Sequence, residues 1–295
     1  MKLNQLRDMV AIADKGSLRA AARYLGLAQP ALTRSVRALE HELGTTLFER
    51  DARGMVLTPR GQLFYQRAKA VVNELRRARE EIEQTSGDMQ GTVVAGLSIM
   101  PHVGMLPQAL PAFRRQFPNV TLKVIEGLYP AMEAGLRDGS IDFYVGASPR
   151  VAPAPGLLEE RWFDNTRTIV GRKGHPLSKA TSIRDLARAD WATTSVDYNA
   201  TEDLEALFTR YGMGAPRVML QADSAMSVMV AVAYGDLLAI LPVQWNEFPL
   251  AQEMLQVIPI EEVLPAPAIG CIRRPDLPLT PAAEAFCDLL RRHSG

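Results

Sequence analysis

One side of a short segment near the N-terminus carries side chains that can hydrogen-bond to nucleic acid. These side chains are Gln29, Thr33, Arg34 and Arg37. In the major groove, glutamine can bond to adenine and arginine to guanine through two hydrogen bonds each, and threonine can reach a phosphate or a thymine methyl group. The residue types therefore indicate contact with the edges of DNA bases.

The opposite side of the same segment is apolar, as expected for a helix that packs on a core. Its apolar positions are Leu32, Val36, Leu39 and Leu43, at gaps of four, three and four residues. Pro30 suits the first helical turn, because no backbone N–H is needed there. Upstream, Gly26 can supply a turn and Ser17 can cap a second short helix, which follows a first helix over Leu3–Asp14. The pattern predicts a helix-turn-helix whose last helix lies in the major groove.

An ordinary surface helix with solvated arginines would show a similar pattern, so the segment that follows matters. Leu47–Arg50 and Met55–Leu57 are short strand-like runs around the turn-rich Asp51–Gly54. This arrangement predicts a hairpin, or wing, next to the helix-turn-helix. Arg50 and Arg53 are then placed to contact backbone phosphates.

The formal charge sums to zero but is distributed unevenly. Residues 1–90 contain 15 Lys and Arg against 11 Asp and Glu, a net +4, and the remainder contains 18 against 22, a net −4. A basic head on an acidic body favours binding of a polyanion through the N-terminal part alone.

Thr58 and Pro59 predict the start of a long helix that runs to about Ser86. Its apolar residues follow a heptad spacing at Phe64, Ala68, Val71, Leu75, Ala78 and Ile82. A long helix with one narrow apolar seam needs a partner, either its own domain or a second copy of the chain. We favour the second copy, because a dimer presents two reading heads to two DNA half-sites.

Together these segments resemble the LysR-type transcriptional regulators over about sixty positions. The resemblance rests on Ser17 with Ala21-Ala22, Gln29–Arg34, Leu39-Glu40, Leu43-Gly44, Leu47–Arg50 and Leu57–Gly61. One departure is Ala28, where the family usually has a serine cap, and the loss of such a cap costs about 1 kcal/mol. The DNA-binding residues predicted in this way are Ser17, Gln29, Pro30, Thr33, Arg34, Arg37, Arg50 and Arg53.

The resemblance implies a multidomain chain. It implies an N-terminal all-α winged helix-turn-helix over residues 1–58, a linker dimerisation helix and hinge over 59–90, and a C-terminal α/β two-lobed effector domain over 91–295 like a periplasmic binding protein. It also implies binding to double-stranded DNA at an interrupted inverted-repeat operator near a promoter, self-association as a dimer or homotetramer, a small organic ligand and contact with RNA polymerase. No cofactor and no metal are expected.

Strands and helices alternate through the C-terminal two thirds of the chain, which predicts a mainly parallel α/β sheet. The strands are predicted over Thr92–Leu97, Val120–Ile125, Ile141–Val145, Arg167–Val170, Leu237–Pro242 and Ile269–Ile272. The helices are predicted over Ser98–Phe117, Pro130–Asp138, Thr201–Tyr211, Ala225–Tyr234 and Pro281–Arg292. Lobe I is expected over about 91–163 and 266–295 and lobe II over about 164–265, with a ligand cleft between them.

In such sheets, ligands lie beyond the C-terminal ends of strands and near helix N-termini, which favour anions. The effector-binding residues expected on this basis, with the resemblance in support for Ser98, are Ser98, Ile99, Met100, Tyr129, Ala147, Thr194, Ser195 and Ser224. Each hydroxyl could equally be a plain helix cap. We expect a carboxylate or sulfonate effector, and Tyr129-Pro130 with the tail Arg273–Pro281 resembles a branch that responds to aromatic sulfonates and to sugars.

An enzyme is the main alternative, and the motifs disfavour it. The four histidines, His41, His102, His175 and His293, have no metal-ligand spacing, and nucleophile-elbow, phosphate-loop and dinucleotide motifs are missing. Ser98 with His102 lacks an apparent orienting acid. Two cysteines without a CxxC motif, and no apolar run suited to a signal peptide or a bilayer, predict a cytoplasmic protein that has no membrane partner.

Overall fold

The computed structural model describes residues 1–51, 54–85, 90–194, 200–222 and 224–293. The chain divides into two compact units. The first comprises Met1–Thr85 with Arg137–Ser140, and the second comprises Ser86–Leu136 with Ile141–Gly295.

The first unit is a winged helix-turn-helix followed by a long helix. Its elements are α1 Leu3–Lys15, α2 Leu18–Leu25, α3 Gln29–Leu43, β1 Phe48–Asp51, β2 Gly54–Leu57 and α4 Pro59–Thr85. Gly16 and Gly26 end α1 and α2 at φ values of +66° and +65°, and the Ser17 Oγ accepts a hydrogen bond from the Ala20 N–H at 3.1 Å. These local signals lie where the sequence predicts them, because caps and positive-φ positions depend mainly on neighbouring residues.

The core of this unit lies among α1, α2, α3 and the start of α4. Its buried residues include Met9, Ile12, Ala21, Leu32, Val36, Leu39 and Ala68. Leu43, expected on the same inward face, is instead 37% exposed. It lies in the last turn of α3, just before the chain leaves the helix at Gly44 with φ +63°, so the predicted apolar stripe ends one turn early.

The second unit is built on two five-stranded sheets. The first sheet has the order β4-β3-β5-β12-β6 and the second has the order β11-β7-β10-β8-β9. The strands are β3 Gln90–Leu97, β4 Asn119–Glu126, β5 Phe143–Ala147, β6 Leu158–Phe163, β7 Arg167–Arg172, β8 Asp190–Thr194, β9 Arg217–Ala222, β10 Leu237–Pro242, β11 Leu255–Ile258 and β12 Ile269–Arg273. We call the parts built on these sheets the first lobe and the second lobe.

The helices of this unit connect the strands and cover the sheets. They are α5 Ile99–Gly104, α6 Leu106–Gln116, α7 Tyr129–Asp138, α8 Ala200–Arg210, α9 Ala225–Tyr234, α10 Pro249–Met254 and α11 Pro281–Arg292. The expectation of one helix over Ser98–Phe117 is wrong, since the helix breaks at Met105, whose φ is −121°. Pro107 contributes to the break, because it has no N–H to bond the carbonyl of Val103.

The expected mainly parallel sheet is also only half right. In each sheet three neighbouring strands run parallel, β4-β3-β5 and β10-β8-β9, and the other two pair antiparallel. No helix separates β5, β6 and β7 along the chain, and antiparallel pairing needs no helical crossover. Four strands are missing from the predicted set. Of these, β6, β9 and β11 lie at sheet edges, where burial is incomplete and the apolar pattern is weak. The fourth, β8, lies between β10 and β9 in the second sheet, and its buried run is only the short segment from Trp191 to Thr193.

None of the helices in the described part of the chain combines the length and apolar character that a bilayer-spanning segment needs.

Candidate DNA-binding surface and ligand cleft

The polar face of α3 points outward from the core of the first unit. Gln29, Pro30, Arg34 and Arg37 are exposed, and Thr33 is half-buried. The Thr33 hydroxyl donates a hydrogen bond to the Gln29 carbonyl oxygen at 3.1 Å, so its methyl group and the two lone pairs of its oxygen are left for other contacts. The predicted reading face is thus an exposed surface.

Two carboxylates hold α3 in its orientation, and the sequence interpretation missed the role of both. The buried Asp8 of α1 accepts a hydrogen bond from the Ser35 Oγ at 2.6 Å. The Glu40 Oε1 accepts hydrogen bonds from the backbone N–H groups of Leu47 at 2.7 Å and Phe48 at 3.2 Å. The sequence signal for the role of Asp8 was an acidic residue between the apolar positions Leu6 and Met9 of α1.

The wing is a two-stranded antiparallel hairpin in which Phe48 pairs with Leu57 and Asp51 with Gly54. Arg50 is exposed on β1, whereas Arg53 lies outside the described residues. The Met55 N–H donates to the Gly16 carbonyl oxygen at 3.0 Å, which ties the wing to the turn after α1. Gly54 has φ +129°, and a Cβ there would lie 2.5 Å from the Gly16 oxygen, so this close approach requires glycine.

A cavity of about 110 Å³ in the second unit is lined from both lobes. Among the expected effector-binding residues, Ser98, Ile99, Met100 and Ala147 line it from the first lobe and Thr194 lines it from the second. Ser195 lies outside the described residues. The structure therefore brings together residues from the ends of β3, β5 and β8, as the strand-end argument predicts.

Two expected effector contacts lie outside the lining of this cavity. Tyr129 is buried, and its hydroxyl donates to the Glu133 Oε2 at 3.1 Å and accepts from the Ala154 N–H at 3.1 Å. The Ser224 Oγ caps α9 by accepting from the Ser227 N–H at 3.2 Å. The Ser224 hydroxyl thus caps a helix, the alternative that the sequence left open, and the Tyr129 hydroxyl bonds within the first lobe.

The family of the chain follows from two matching family models. Residues 86–295 match the LysR substrate binding domain, and residues 3–62 match the bacterial regulatory helix-turn-helix protein of the lysR family. The first match alone covers more than half of the chain. The chain belongs to the LysR family. This LysR-family protein is therefore a DNA-binding transcription regulator with an effector domain, rather than an enzyme.

Curated relatives and a solved structure agree with this assignment. The LysR-family protein is 26% identical over 289 residues to the HTH-type transcriptional regulator GalR of Pseudomonas putida. The aligned region covers 98% of this chain and 73% of GalR. The protein is 29% identical over 294 residues to the SDS degradation transcriptional activation protein of a Pseudomonas species, covering 98% and 95%. Its fold resembles full-length CbnR complexed with its target DNA, with a TM-score of 0.71, 23% identity and 100% coverage of both chains.

Ser98 of this LysR-family regulator is packed tightly rather than poised as a nucleophile. It is buried, and its N–H donates to the Val145 carbonyl oxygen at 3.0 Å. The His102 Nδ1 lies 3.0 Å from the Ser98 carbonyl oxygen, so the imidazole bonds to the backbone. A Cβ on Gly146 would lie 2.5 Å from the Ser98 Oγ and 2.3 Å from the Tyr144 hydroxyl, so only glycine fits beneath this serine.

Burial raises the pKa of Tyr144 far above its usual value, and the hydroxyl stays protonated beside Ser98.

Among the residues that the structure describes, no cluster of histidine, cysteine and carboxylate side chains suits a metal ion.

Three charged residues that the sequence did not indicate also line the cavity. They are Glu126 at the end of β4, Arg167 at the start of β7 and Asp203 in the first turn of α8. The Arg167 Nη1 lies 3.3 Å from the Asp203 Oδ2, and both side chains are largely buried. The Glu126 Oε1 accepts a hydrogen bond from the Ala225 N–H at 3.2 Å. The lining therefore combines polar and charged residues with apolar ones.

Proposed function

We propose that this regulator recognises its operator with the exposed face of α3 and with the wing, and that a small organic anion in the cavity between the lobes modulates this binding. The observation that supports the DNA-reading face is the split of α3 into two sides. Leu32, Val36 and Leu39 are buried, whereas Arg34 and Arg37 are exposed. Anchoring of α3 through Asp8 and Glu40 keeps that face in one orientation.

The proposed role of the wing is to hold the head on the duplex through phosphates. Arg50 is exposed on β1, and Ser17 is half-buried at the start of α2. The Ser17 Oγ accepts from its own helix, but its proton remains free to be donated to a phosphate oxygen. Phosphate contacts fix the register of the protein on DNA and leave sequence discrimination to α3.

The anionic class of the effector is supported by the polar residues of the cavity lining. Ser98, Thr194 and Arg167 supply hydroxyl groups and a guanidinium to the lining, and such groups bind carboxylates and sulfonates. The N-terminus of α9 already interacts with the carboxylate of Glu126, as expected from the positive end of a helix dipole. The apolar part of the lining fits a hydrocarbon or aromatic body.

The test of this function is binding of the full-length protein to the promoter DNA upstream of its own gene. We expect tighter binding to that duplex than to unrelated duplexes at every salt concentration, with a change in affinity or footprint when the effector is present. Benzoate and benzenesulfonate are the first probes, and glucose is the neutral control. A response to glucose and to neither acid would contradict the anionic class, and equal affinity for all duplexes would contradict the proposed reading face.

Self-association is supported by the seam of α4. Phe64 and Ala68 pack on the core of the first unit, but further along the helix Val71, Leu75 and Ile82 are 45%, 43% and 67% exposed. We propose that this half of the seam pairs with a second copy. A second apolar stripe is exposed on α9 at Met226, Val230 and Tyr234. A dimer of dimers needs two separate self-association interfaces, and these two apolar surfaces can supply them.

Replacing Leu75 with glutamate is expected to convert the assembly to a smaller species at micromolar concentration, because a charge would be buried in the proposed α4 pairing. Size-exclusion chromatography with light scattering measures the molar mass. Leu63→Glu is the matched control, because Leu63 is exposed on the same helix but lies off the seam. An unchanged mass for Leu75→Glu would contradict pairing through the seam.

The remaining partners follow from this role. Pairs of heads joined by self-association fit an interrupted inverted-repeat operator, because two-fold protein symmetry matches two-fold symmetry in the site. We further propose that the bound protein contacts RNA polymerase at the promoter and acts in the cytoplasm, where the chromosome is.

A further inference from the structure

Two polar bridges join the lobes across the ligand cleft. In the first, the carboxylate of Glu126 in the first lobe accepts a hydrogen bond from the Ala225 N–H, which begins α9 in the second lobe. In the second, the guanidinium of Arg150, on the chain after β5 in the first lobe, pairs with the Asp203 Oδ1 of α8 in the second lobe. Its Nη1 also lies 3.9 Å from the Glu202 Oε2.

Neither bridge lies on the covalent connections between the lobes. The chain crosses from lobe to lobe between β6 and β7 and again between β11 and β12. In the first sheet, β6 and β12 are neighbours at one edge, whereas β4, which ends at Glu126, is the opposite edge. Three strand spacings, about 14 Å, separate β4 from β12. The Glu126 bridge therefore lies far from the strands at which the chain crosses between the lobes. At that distance a hinge motion of the lobes produces a large displacement.

The second bridge is linked to the ligand cavity through a shared carboxylate. Asp203 bonds to Arg150 through Oδ1 and to Arg167 through Oδ2. Arg167 and Asp203 both line the cavity. An anion that binds Arg167 competes with Asp203 for the same guanidinium, and the position of Asp203 determines whether Arg150 is held.

We infer that Glu126 and Arg150 are latch residues, which together stabilise the lobe arrangement described here, and that Asp203 couples this latch to the charge of a bound effector. The coupling to an effector rests on the function proposed above, but the latch itself does not. Opening of either bridge shifts the lobe equilibrium, and a ligand acts on this equilibrium only through its difference in affinity for the two arrangements.

The test is hydrogen–deuterium exchange on the full-length protein without added ligand. In Glu126→Ala, we expect faster exchange both at the start of α9 and in α8, which faces Arg150, by about two- to fivefold, the range for an exposed charge at a helix end. Arg150→Ala is expected to accelerate the same two segments. Glu126→Gln should give a smaller increase than Glu126→Ala, because the amide oxygen still accepts a hydrogen bond but has lost its charge.

Glu205→Ala is the matched control, because it removes an exposed charge from α8 that takes part in neither bridge. Acceleration confined to the segment that touches the changed residue would overturn the latch, since two independent contacts would behave in this way. The proposed anionic effector fails separately, if benzoate and benzenesulfonate leave promoter binding unchanged while the two segments still respond together.

Discussion

Replacing Gly61 with alanine is expected to destabilise the winged head by about 3 kcal/mol, at the upper end of the usual range for forced overpacking. A Cβ on Gly61 would lie 2.0 Å from the carbonyl oxygen and 2.9 Å from the carbonyl carbon of Leu47. Both atoms belong to the backbone at the start of the wing, so no side-chain rotation can relieve the collision.

The contacts around Gly61 connect it to the wing and to α3, so we expect the loss of stability to impair DNA binding as well. The Thr58 N–H donates to the same Leu47 oxygen at 3.0 Å, and the Thr58 Oγ1 accepts from the Gly61 N–H at 2.9 Å. The Leu47 N–H is in turn bonded to Glu40 of α3. Displacement of Leu47 therefore disturbs the start of α4, the wing and the anchoring of α3 together.

The free energy of unfolding is measured by chemical denaturation of the full-length protein, from the transition with the lowest midpoint. Gln62→Ala is the control, because this exposed neighbour lies in the same helical turn and its change should leave the transition within about 0.5 kcal/mol. Promoter binding by Gly61→Ala should be lost in parallel. A midpoint equal to that of the control would show that the backbone at Leu47 yields to the added methyl group.

Replacing Arg34 with alanine is expected to weaken binding to the cognate promoter by about 5- to 150-fold, the range for loss of one bidentate base contact. Affinity for a scrambled duplex should change little, because Arg34 is exposed on the proposed reading face and its loss removes sequence discrimination. Arg53→Ala, in contrast, should weaken binding to both duplexes alike and reduce the salt dependence by about one counterion.

Gel shifts with matched and scrambled sites over a salt series separate these outcomes. Arg188→Ala is the charge control, because Arg188 is an exposed arginine of the effector domain, and it should leave both affinities close to those of the original protein. Full discrimination by Arg34→Ala would mean that a different set of side chains reads the bases.

The N-terminal unit was largely determined by its sequence. Ser17, Gly16 and Gly26 mark helix ends through interactions with residues at most five positions away, and the spacing of Leu32, Val36 and Leu39 defines the buried side of α3. Such signals are readable because caps, turns and helical periodicity depend on short stretches of chain. The alternation of strands and helices in the effector domain is readable for the same reason.

The cavity between the lobes was decided by tertiary structure. Sequence placed Ser98, Ala147 and Thr194 at strand ends, and they line the cavity, whereas Tyr129 has the same strand-end position but turns its hydroxyl toward Glu133 and Ala154. The contact between Glu126 and Ala225 spans 99 residues and that between Arg150 and Asp203 spans 53. A local pattern specifies which residues end a strand or begin a helix, but only the packing of the two sheets determines which of these ends face each other.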